Sequence, residues 1–316
     1  SGIHMTADII ITEFLDEDAE RFLHAKTTVI RDDQLAYDPE QLCSIVGEAR
    51  ALIIRNRTII DNRLLDAAPK LEVIGRLGVG LDNIDMVGCR DRQVTVIPAI
   101  GANSDSVAEY VMTAMMVMMR PVWHATAPMI DGIFPRQSMG QGREIGGKIL
   151  AIIGYGAIGR NVARRAKAMG MHIMGYDPAF KAEPGLDVQE ATLPECLASA
   201  DAISLHMPLN DQTRNMINAD TISQMKKGAV LINTARGGII DHDALAESLR
   251  MGHLGGTAID VFTDEPPPRE SLEIFQGLDN IWLTPHIAGV TQEATRRVSW
   301  MTVEAVAKHL SLSSPH

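Results

Sequence analysis

The sequence predicts an α/β protein with two doubly wound parallel-sheet domains. Short apolar runs of strand length alternate with helical patterns along most of the 316 residues, and they form two series separated by one long apolar helix. With 46% hydrophobic and 22% charged residues, the chain has enough apolar side chains for each domain to bury its own core. We therefore expect a globular protein of two domains.

The first series of strands lies within the first hundred residues. Helical stretches separate its apolar runs, as expected for β-α-β units that cover a parallel sheet. The runs are Ile9–Ile11, Val29–Ile30, Ala51–Ile54, Val73–Gly75 and Val94–Ile97. Residues 1–5, Ser-Gly-Ile-His-Met, precede them and are typical of an expression-tag remnant, so we begin the first domain at residue 6.

A very apolar helix is predicted from Asn103 to Arg120. Its methionines are Met112, Met115, Met116, Met118 and Met119. A methionine stripe of this kind is more typical of a packed core or a subunit contact than of a metal site. The apolar surface of residues 107–119 exceeds what one small sheet domain needs, which predicts a homodimer.

The second series of strands begins after this helix. Its runs cover residues 149–153, 173–175, 202–205, 229–232, 257–259 and 281–283, and a last helix is predicted at 292–310. That helix follows the second series and is expected to pack back on the first domain. The predicted domains are therefore 6–100 plus 289–316 and 101–288, with two crossings of the chain beside an interdomain cleft.

The bulk composition excludes several classes of partner. A net charge of -11 and a pI near 5.4 disfavour nucleic acid and anionic membranes, because both require a clustered basic surface. The most apolar run, Val111–Met119, is too short to cross a bilayer, and no metal-ligand spacing occurs. Three scattered cysteines predict reduced thiols in the cytoplasm, namely Cys43, Cys89 and Cys196.

A glycine-rich turn follows the first strand of the second series. It reads Gly154-Tyr155-Gly156-Ala157-Ile158-Gly159 and leads into a helix, whose amino terminus can bind a pyrophosphate. Asp177 ends the next strand, where a carboxylate can accept both ribose hydroxyls and repel a 2′-phosphate. This pattern predicts NAD rather than NADP. A plain glycine turn, and a role of Asp177 in capping the turn at Pro178, remain as structural alternatives.

Three charged side chains follow strands of the second series, namely Arg236, Glu265 and His286. The carboxyl ends of parallel strands meet at one edge of a sheet, where ligands bind. Each residue alone is compatible with a surface ion pair or a core histidine. Together they are candidates for an acid/base site that also holds a carboxylate.

These segments together resemble the D-isomer-specific 2-hydroxyacid dehydrogenase family over essentially the whole chain. The matching segments are the glycine turn with Asp177 and residues 206–209, 227–238, 260–266 and 284–289. The resemblance implies a flavodoxin-like substrate domain, a Rossmann NAD-binding domain, and reduction of a 2-keto acid to a D-2-hydroxy acid. Related formate dehydrogenases carry glutamine in place of the glutamate, so Glu265 argues against formate chemistry.

The resemblance also implies roles for individual residues. Arg236 would bind the substrate carboxylate and carbonyl, His286 would be the general acid/base, and Glu265 would pair with His286. Asp260 would orient the nicotinamide carboxamide. The residues assigned to NAD are Gly154, Tyr155, Gly156, Ala157, Ile158, Gly159, Asp177, His206, Pro208, Thr234 and Asp260.

The substrate residues are predicted mainly from the first domain. Arg55-Asn56-Arg57 follows a strand and is more cationic than a lactate requires, which favours a second anion on the substrate. Phosphoglycerate dehydrogenases share the Arg-x-x-Thr pattern, and sulfolactate dehydrogenases resemble the chain at the paired arginines, at residues 11–14 and at 134–137. The predicted substrate residues are Arg55, Asn56, Arg57, Leu77, Gly78, Val79, Gly80, Arg136, Arg236 and His286.

The expected substrate is (S)-sulfolactate, followed by 3-phosphoglycerate and then glyoxylate or hydroxypyruvate. Either Arg55 or Arg57 is also compatible with a merely solvated surface. Some relatives act as NAD-sensing corepressors, which is the alternative of another class. The sequence contains no low-complexity tail or basic stretch, so we favour an enzyme.

Overall fold

A computed structural model of the chain describes residues 6–312, so the predicted tag remnant 1–5 lies outside the described residues. The chain divides into two compact units. The first extends up to Asn103 and resumes at Val290, and the second is Ser104–Gly289. Helices and strands are numbered along the chain.

The first unit is built on a five-stranded parallel sheet with strand order β2-β1-β3-β4-β5. Its strands are β1 Ile9–Ile11, β2 Val29–Arg31, β3 Ala51–Ile54, β4 Val73–Arg76 and β5 Thr95–Pro98. Its helices are α1 Glu17–His24, α2 Pro39–Ile45, α3 Asn62–Ala67, α4 Met86–Asp91 and the C-terminal helix Gln292–His309. Single turns of 3-10 helix lie at Leu35–Tyr37 and Val46–Glu48.

Both faces of this sheet are buried. Ile9 and Ile11 pack on the side of the C-terminal helix, where Val303 is fully buried, whereas Ile10 packs on the opposite side with Leu42. Side chains of a strand alternate between faces, so a strand buried on both sides appears in the sequence as an unbroken apolar run. This is why the strands of the first series were visible in the sequence.

The second unit contains a seven-stranded parallel sheet with strand order β12-β11-β10-β9-β6-β7-β8. Its strands are β6 Ile149–Ile153, β7 His172–Tyr176, β8 Gln189–Glu190, β9 Ala202–Leu205, β10 Val230–Asn233, β11 Gly256–Ile259 and β12 Ile281–Leu283. Its helices are α5 Ser104–Met119, α6 Thr126–Ile130, α7 Arg136–Met139, α8 Ala157–Ala168, α9 Leu193–Ser199, α10 Ala219–Gln224, α11 His242–Arg250 and α12 Arg269–Glu273, with 3-10 turns at Val122–His124 and Gly237–Ile239. The predicted fold class, two doubly wound parallel-sheet domains, is confirmed.

Helix α5 belongs to the core of the second unit. Met112, Met115 and Met119 are buried there beside Ile152 of β6 and Val162 of α8. The apolar side chains of this helix therefore serve mainly the interior of their own unit. Met116 is exposed on the helix, and most of the exposed apolar side chains nearby follow it, among them Val122, Ile130, Ile133 and Phe134. No helix within residues 6–312 is long and apolar enough to cross a membrane.

Candidate active site

The glycine turn connects β6 to α8. Gly154 has φ +99°, and a side chain there would collide with the backbone of His206. A side chain at Gly159 would collide with the carbonyl of Gly154. In contrast, a Cβ atom at Gly156 would meet no described atom within 4 Å. Gly154 and Gly159 are therefore required by the fold, whereas Gly156 keeps an exposed backbone open to close approach by a ligand.

The start of α8 fits an anionic group. No side chain of the described residues caps this helix at Gly156, so the first N–H groups remain for another acceptor. Such N–H groups, together with the helix dipole, bind phosphates. The turn thus has the two properties that a dinucleotide pyrophosphate needs, an open backbone and free donors.

Asp177 ties the end of β7 to this turn. Its Oδ2 accepts the N–H of Tyr155 at 2.8 Å, and its Oδ1 accepts the N–H of Ala179 at 2.8 Å. The alternative role of Asp177 as a turn cap is therefore real. A carboxylate offers about four lone-pair sites, so two remain for ribose hydroxyls. The structural role and the predicted cofactor role are compatible.

Three further predicted cofactor residues follow β9 and β10, namely His206, Pro208 and Thr234. Burial lowers the pKa of His206 to about 4, and its Nε2 lies 2.7 Å from the Ser204 hydroxyl. His206 is therefore neutral near pH 7, which excludes it as the acid. Pro208 is exposed. The Thr234 hydroxyl is buried and has no hydrogen-bond partner among residues 6–312, and a bound ligand would satisfy it.

His286 and Glu265 form a hydrogen-bonded pair. Nδ1 of His286 lies 2.6 Å from Oε2 of Glu265, and Oε1 of Glu265 accepts the N–H of Phe262 at 3.1 Å. Because a carboxylate only accepts, the imidazole carries a proton on Nδ1. Nε2 is then the atom that gains or loses a proton. The His286 side chain is 45% exposed, so a substrate can approach it.

The catalytic candidates share one edge of the sheet. Arg236 follows β10, Glu265 follows β11 and His286 follows β12, and these three strands are neighbours in the order β12-β11-β10. Nη1 of Arg236 donates to the carbonyl of Ala235 at 2.7 Å. Parallel strands thus bring together residues that are 50 positions apart in the sequence.

Asp260 holds the turn before and after His286. Its Oδ1 accepts the Thr284 hydroxyl at 2.6 Å and the N–H of Ile287 at 2.8 Å, and its Oδ2 accepts the N–H of Ala288 at 2.9 Å. Its backbone carbonyl accepts the N–H of His286 at 2.9 Å. Sequence analysis assigned Asp260 to the cofactor and did not detect this anchoring role.

The arginine loop, residues 55–58 of the first unit, is held by a buried carboxylate that sequence analysis missed. Glu13 is 7% exposed and accepts the N–H groups of Arg55, Arg57 and Thr58 as well as the Thr58 hydroxyl, at 2.8 to 3.2 Å. Asn56 is exposed. The sequence signal was an acidic residue two positions after a buried strand.

The two arginines of this loop differ. Nε of Arg55 donates to the carbonyl of Phe14 at 2.7 Å, and one terminal nitrogen of Arg55 is buried with no partner among the described residues. Burial lowers the pKa of Arg55. Arg57 is exposed, with its guanidinium 5.2 Å from the centre of the Tyr37 ring. The side chain of Arg57 is thus held by one weak contact, whereas a hydrogen bond fixes the side chain of Arg55.

The glycine loop after β4 is shaped by Arg76, which donates to the carbonyls of Gly80 and Leu77 at 2.8 and 2.9 Å. The N–H of Gly78 donates to the carbonyl of Arg76 at 2.8 Å. The backbone N–H groups of two other predicted substrate residues in this loop, Val79 and Gly80, have no acceptor within the described residues. The last predicted substrate residue, Arg136, begins α7 in the second unit and is exposed.

Known proteins resemble this chain in sequence and in structure. Residues 112–288 match the family model "D-isomer specific 2-hydroxyacid dehydrogenase, NAD binding domain". The chain is 44% identical to (S)-sulfolactate dehydrogenase of Chromohalobacter salexigens over 97% of this chain and 99% of that protein. It is 38% identical to hydroxypyruvate reductase of Thermotoga maritima, over 96% and 98% respectively. The crystal structure of D-lactate dehydrogenase from Aquifex aeolicus with NAD and lactic acid has a TM-score of 0.84 and 29% identity, covering 96% of this chain and 95% of that one.

Proposed function

The chain belongs to the D-isomer-specific 2-hydroxyacid dehydrogenase family and is an NAD-dependent oxidoreductase, and on that premise we propose that it interconverts (S)-sulfolactate and sulfopyruvate. The observation that carries this proposal is the arginine loop, in which Glu13 fixes the backbone of two arginines. A sulfonate needs a cationic partner in addition to the one that binds the carboxylate. The 44% identity to a sulfolactate dehydrogenase supports the same substrate.

In this proposal the second unit supplies the proton chemistry. The glycine turn, Asp177 and Thr234 would hold NAD, which would supply the exchange of a hydride with C2 of the substrate. His286 gives the proton on Nε2 to the substrate oxygen during reduction and takes it back during oxidation. Glu265 holds the ring through Nδ1 and stabilises the imidazolium.

The carboxylate of the substrate would be bound by two groups. Arg236 can donate two parallel hydrogen bonds to a planar carboxylate, which a lysine does poorly. The N–H groups of Val79 and Gly80 supply further donors. The distal sulfonate would be bound by Arg55 or Arg57, with Arg136 reaching from the other subunit.

Turnover of NADH with a panel of 2-keto acids tests the substrate. The panel contains sulfopyruvate, 3-phosphohydroxypyruvate, hydroxypyruvate, glyoxylate and pyruvate, so that it covers the alternatives of 3-phosphoglycerate and glyoxylate. We expect sulfopyruvate to have the highest kcat/KM. Equal or better turnover of 3-phosphohydroxypyruvate would favour 3-phosphoglycerate instead, and absence of turnover with every acid would favour the NAD-sensing scaffold.

Arginine variants test the distal anion. Arg57→Ala and Arg55→Ala are made separately, and at least one of them should lower the ratio of kcat/KM for sulfopyruvate to that for pyruvate by about ten- to a hundredfold, the effect of one charge-assisted hydrogen bond. Arg63→Ala is the matched control, because Arg63 is exposed in the same unit and forms a surface ion pair with Glu40 at 3.6 Å. An unchanged ratio in both variants would leave a smaller monocarboxylate as the substrate.

We also propose a homodimer. Its basis is now the exposed apolar segment 122–134, in which Ile130 is 80% and Phe134 73% exposed. Apolar side chains clustered in this way are typical of a subunit interface. Sedimentation at micromolar concentration should give a dimer, and Phe134→Asp should shift it towards monomer. A monomer in the unmodified protein would exclude the proposal.

A further inference from the structure

A chain of two hydroxyl groups connects helix α5 to Asp260. The Tyr110 hydroxyl lies 2.6 Å from the Thr284 hydroxyl, which lies 2.6 Å from Oδ1 of Asp260. A carboxylate accepts and does not donate, so the single proton of Thr284 points to Asp260. Thr284 must then accept from Tyr110. The hydrogen bonds therefore run in one direction, from Tyr110 through Thr284 to Asp260.

The end of this chain controls the backbone of the acid/base residue. His286 has φ +55°, a left-handed conformation that is unfavourable for a residue with a Cβ atom. The backbone carbonyl of Asp260 accepts the N–H of His286, and its carboxylate accepts the N–H groups of the next two residues, Ile287 and Ala288. A change in the orientation of this carboxylate therefore acts on the backbone that directly follows His286.

The hydrogen bonds from Tyr110 through Thr284 to Asp260 lie in a buried part of the protein, where the loss of one bond is costly. Asp260 is 1% exposed, and burial raises its pKa, while the hydrogen bond from Thr284 leads the contacts that lower it. The other titratable groups facing Asp260 are His286 and Tyr110. Burial raises the pKa of Tyr110 to about 12, so its phenol keeps its proton and remains a donor.

We propose that Tyr110 is a positioning residue for the reaction, which through Thr284 orients the carboxylate of Asp260 and thereby holds the backbone at His286 in place. The inference rests on the proposed acid/base role of His286. The ring of Tyr110 stacks on Trp282 with centroids 5.9 Å apart and planes 12° apart. Tyr110→Phe can therefore remove the donor and keep the packing of the ring.

Three readouts test the proposal in Tyr110→Phe. The single-turnover rate of keto-acid reduction should fall about three- to tenfold, as expected from one lost hydrogen bond. The acid limb of its pH profile should move to higher pH, because the hydrogen bond from Thr284 that favours the charged form of Asp260 becomes weaker. Hydrogen exchange at the amides of Ile287 and Ala288 should become faster. Thr284→Val should reproduce these effects, and Thr284→Ser, which keeps the hydroxyl, should restore the unmodified behaviour.

The matched control is Thr257→Val. Thr257 is fully buried on β11, the strand that leads to Asp260, and its hydroxyl donates to the carbonyl of Leu231 at 2.8 Å. This variant should lower the free energy of unfolding and leave the acid limb and the two amides unchanged. If Tyr110→Phe behaves in the same way, its role is only structural and the proposal is overturned.

His286→Ala, assayed alongside, distinguishes the acid/base role of His286 from the positioning role of Tyr110. If it abolishes reduction while Tyr110→Phe changes neither the acid limb nor the amide exchange, only the positioning role is overturned. If His286→Ala retains the rate, the acid/base assignment fails, and the inference that depends on it fails too.

Discussion

The carboxylate of Glu13 accepts the backbone N–H of Arg55 at 2.8 Å, so an acidic side chain organises a loop whose own side chains are cationic. In Glu13→Gln an amide nitrogen would face the N–H donors of the loop. We expect the free energy of unfolding to fall by about 2–4 kcal/mol, since hydrogen bonds to a buried charge are lost. We also expect a lower preference for sulfopyruvate over pyruvate, because the backbone of Arg57 would no longer be fixed. Urea denaturation and kcat/KM ratios measure the two effects.

Glu72→Gln is the control for this prediction. Glu72 pairs with Arg50 at 2.6 Å in the same unit, and its side chain is 42% exposed. Exposed ion pairs contribute roughly 0–1 kcal/mol, so both stability and substrate preference should change little. Equal effects of the two substitutions would argue against a special role of Glu13.

Asp177→Asn should change the cofactor preference. The substitution removes the charge that would oppose a 2′-phosphate and keeps one oxygen for the N–H groups of Tyr155 or Ala179. We expect the ratio of kcat/KM with NADPH to that with NADH to rise about ten- to a hundredfold. Asp187→Asn removes the same charge from an exposed site beside Lys167 and should leave the ratio unchanged. A preference of the unmodified enzyme for NADPH would refute the assignment.

His286→Ala should lower the rate of keto-acid reduction by about 10²–10⁴-fold, the usual contribution of a general acid. The affinity for NADH, measured by fluorescence titration, should change little because the imidazole acts on the substrate. His172→Ala, which alters an exposed histidine at the start of β7, should keep the full rate.

Glu265→Gln should affect the two directions of the reaction unequally. Reduction begins with the protonated ring of His286, which the carboxylate stabilises across the 2.6 Å contact, whereas oxidation begins with the neutral ring. We therefore expect the single-turnover rate of reduction, measured with keto acid and NADH both bound, to fall more than the single-turnover rate of oxidation of the bound hydroxy acid at the same pH. Equal losses in both directions would mean that Glu265 only orients the ring.

His206 should contribute to acid sensitivity of the fold. Its pKa is about 4 in the folded chain against an ordinary value of 6.5, so between these pH values only the unfolded chain binds the proton. The free energy of unfolding should therefore fall by about 2 kcal/mol from pH 7 to pH 5 through this residue. His206→Asn should flatten that dependence in urea denaturation, and His172→Asn should not.

The sequence allowed the fold to be predicted because the fold depends on local patterns. Strands buried on two faces appear as short apolar runs, and the site candidates Arg236 and His286 were chosen because they follow such runs closely. The two-residue strand β8 was missed, since Gln189 and Glu190 are exposed and give no apolar signal. Edge strands of this kind are fixed by their neighbours and not by their own composition.

The supporting contacts of the site could not be predicted. Glu13 meets its hydrogen-bond partners 42 to 45 positions later in the chain, and Tyr110 meets Thr284 across 174 positions. No periodicity links residues so far apart. Tyr110 lies in the apolar pattern of α5, and its hydroxyl group alone did not indicate a role. The role could be inferred only when Thr284 was identified as the partner of that hydroxyl.

The second unit is formed by one continuous segment of the chain, whereas the first unit is formed by two. The glycine turn, Asp177, Arg236, Glu265 and His286 all lie in one uninterrupted stretch, Ser104–Gly289, whereas the arginine loop lies in the other unit. A single contiguous exchange of coding sequence would therefore transfer all the side chains proposed for the redox and proton chemistry. Point changes in the arginine loop would then alter recognition of the proposed distal anion and leave that stretch unchanged.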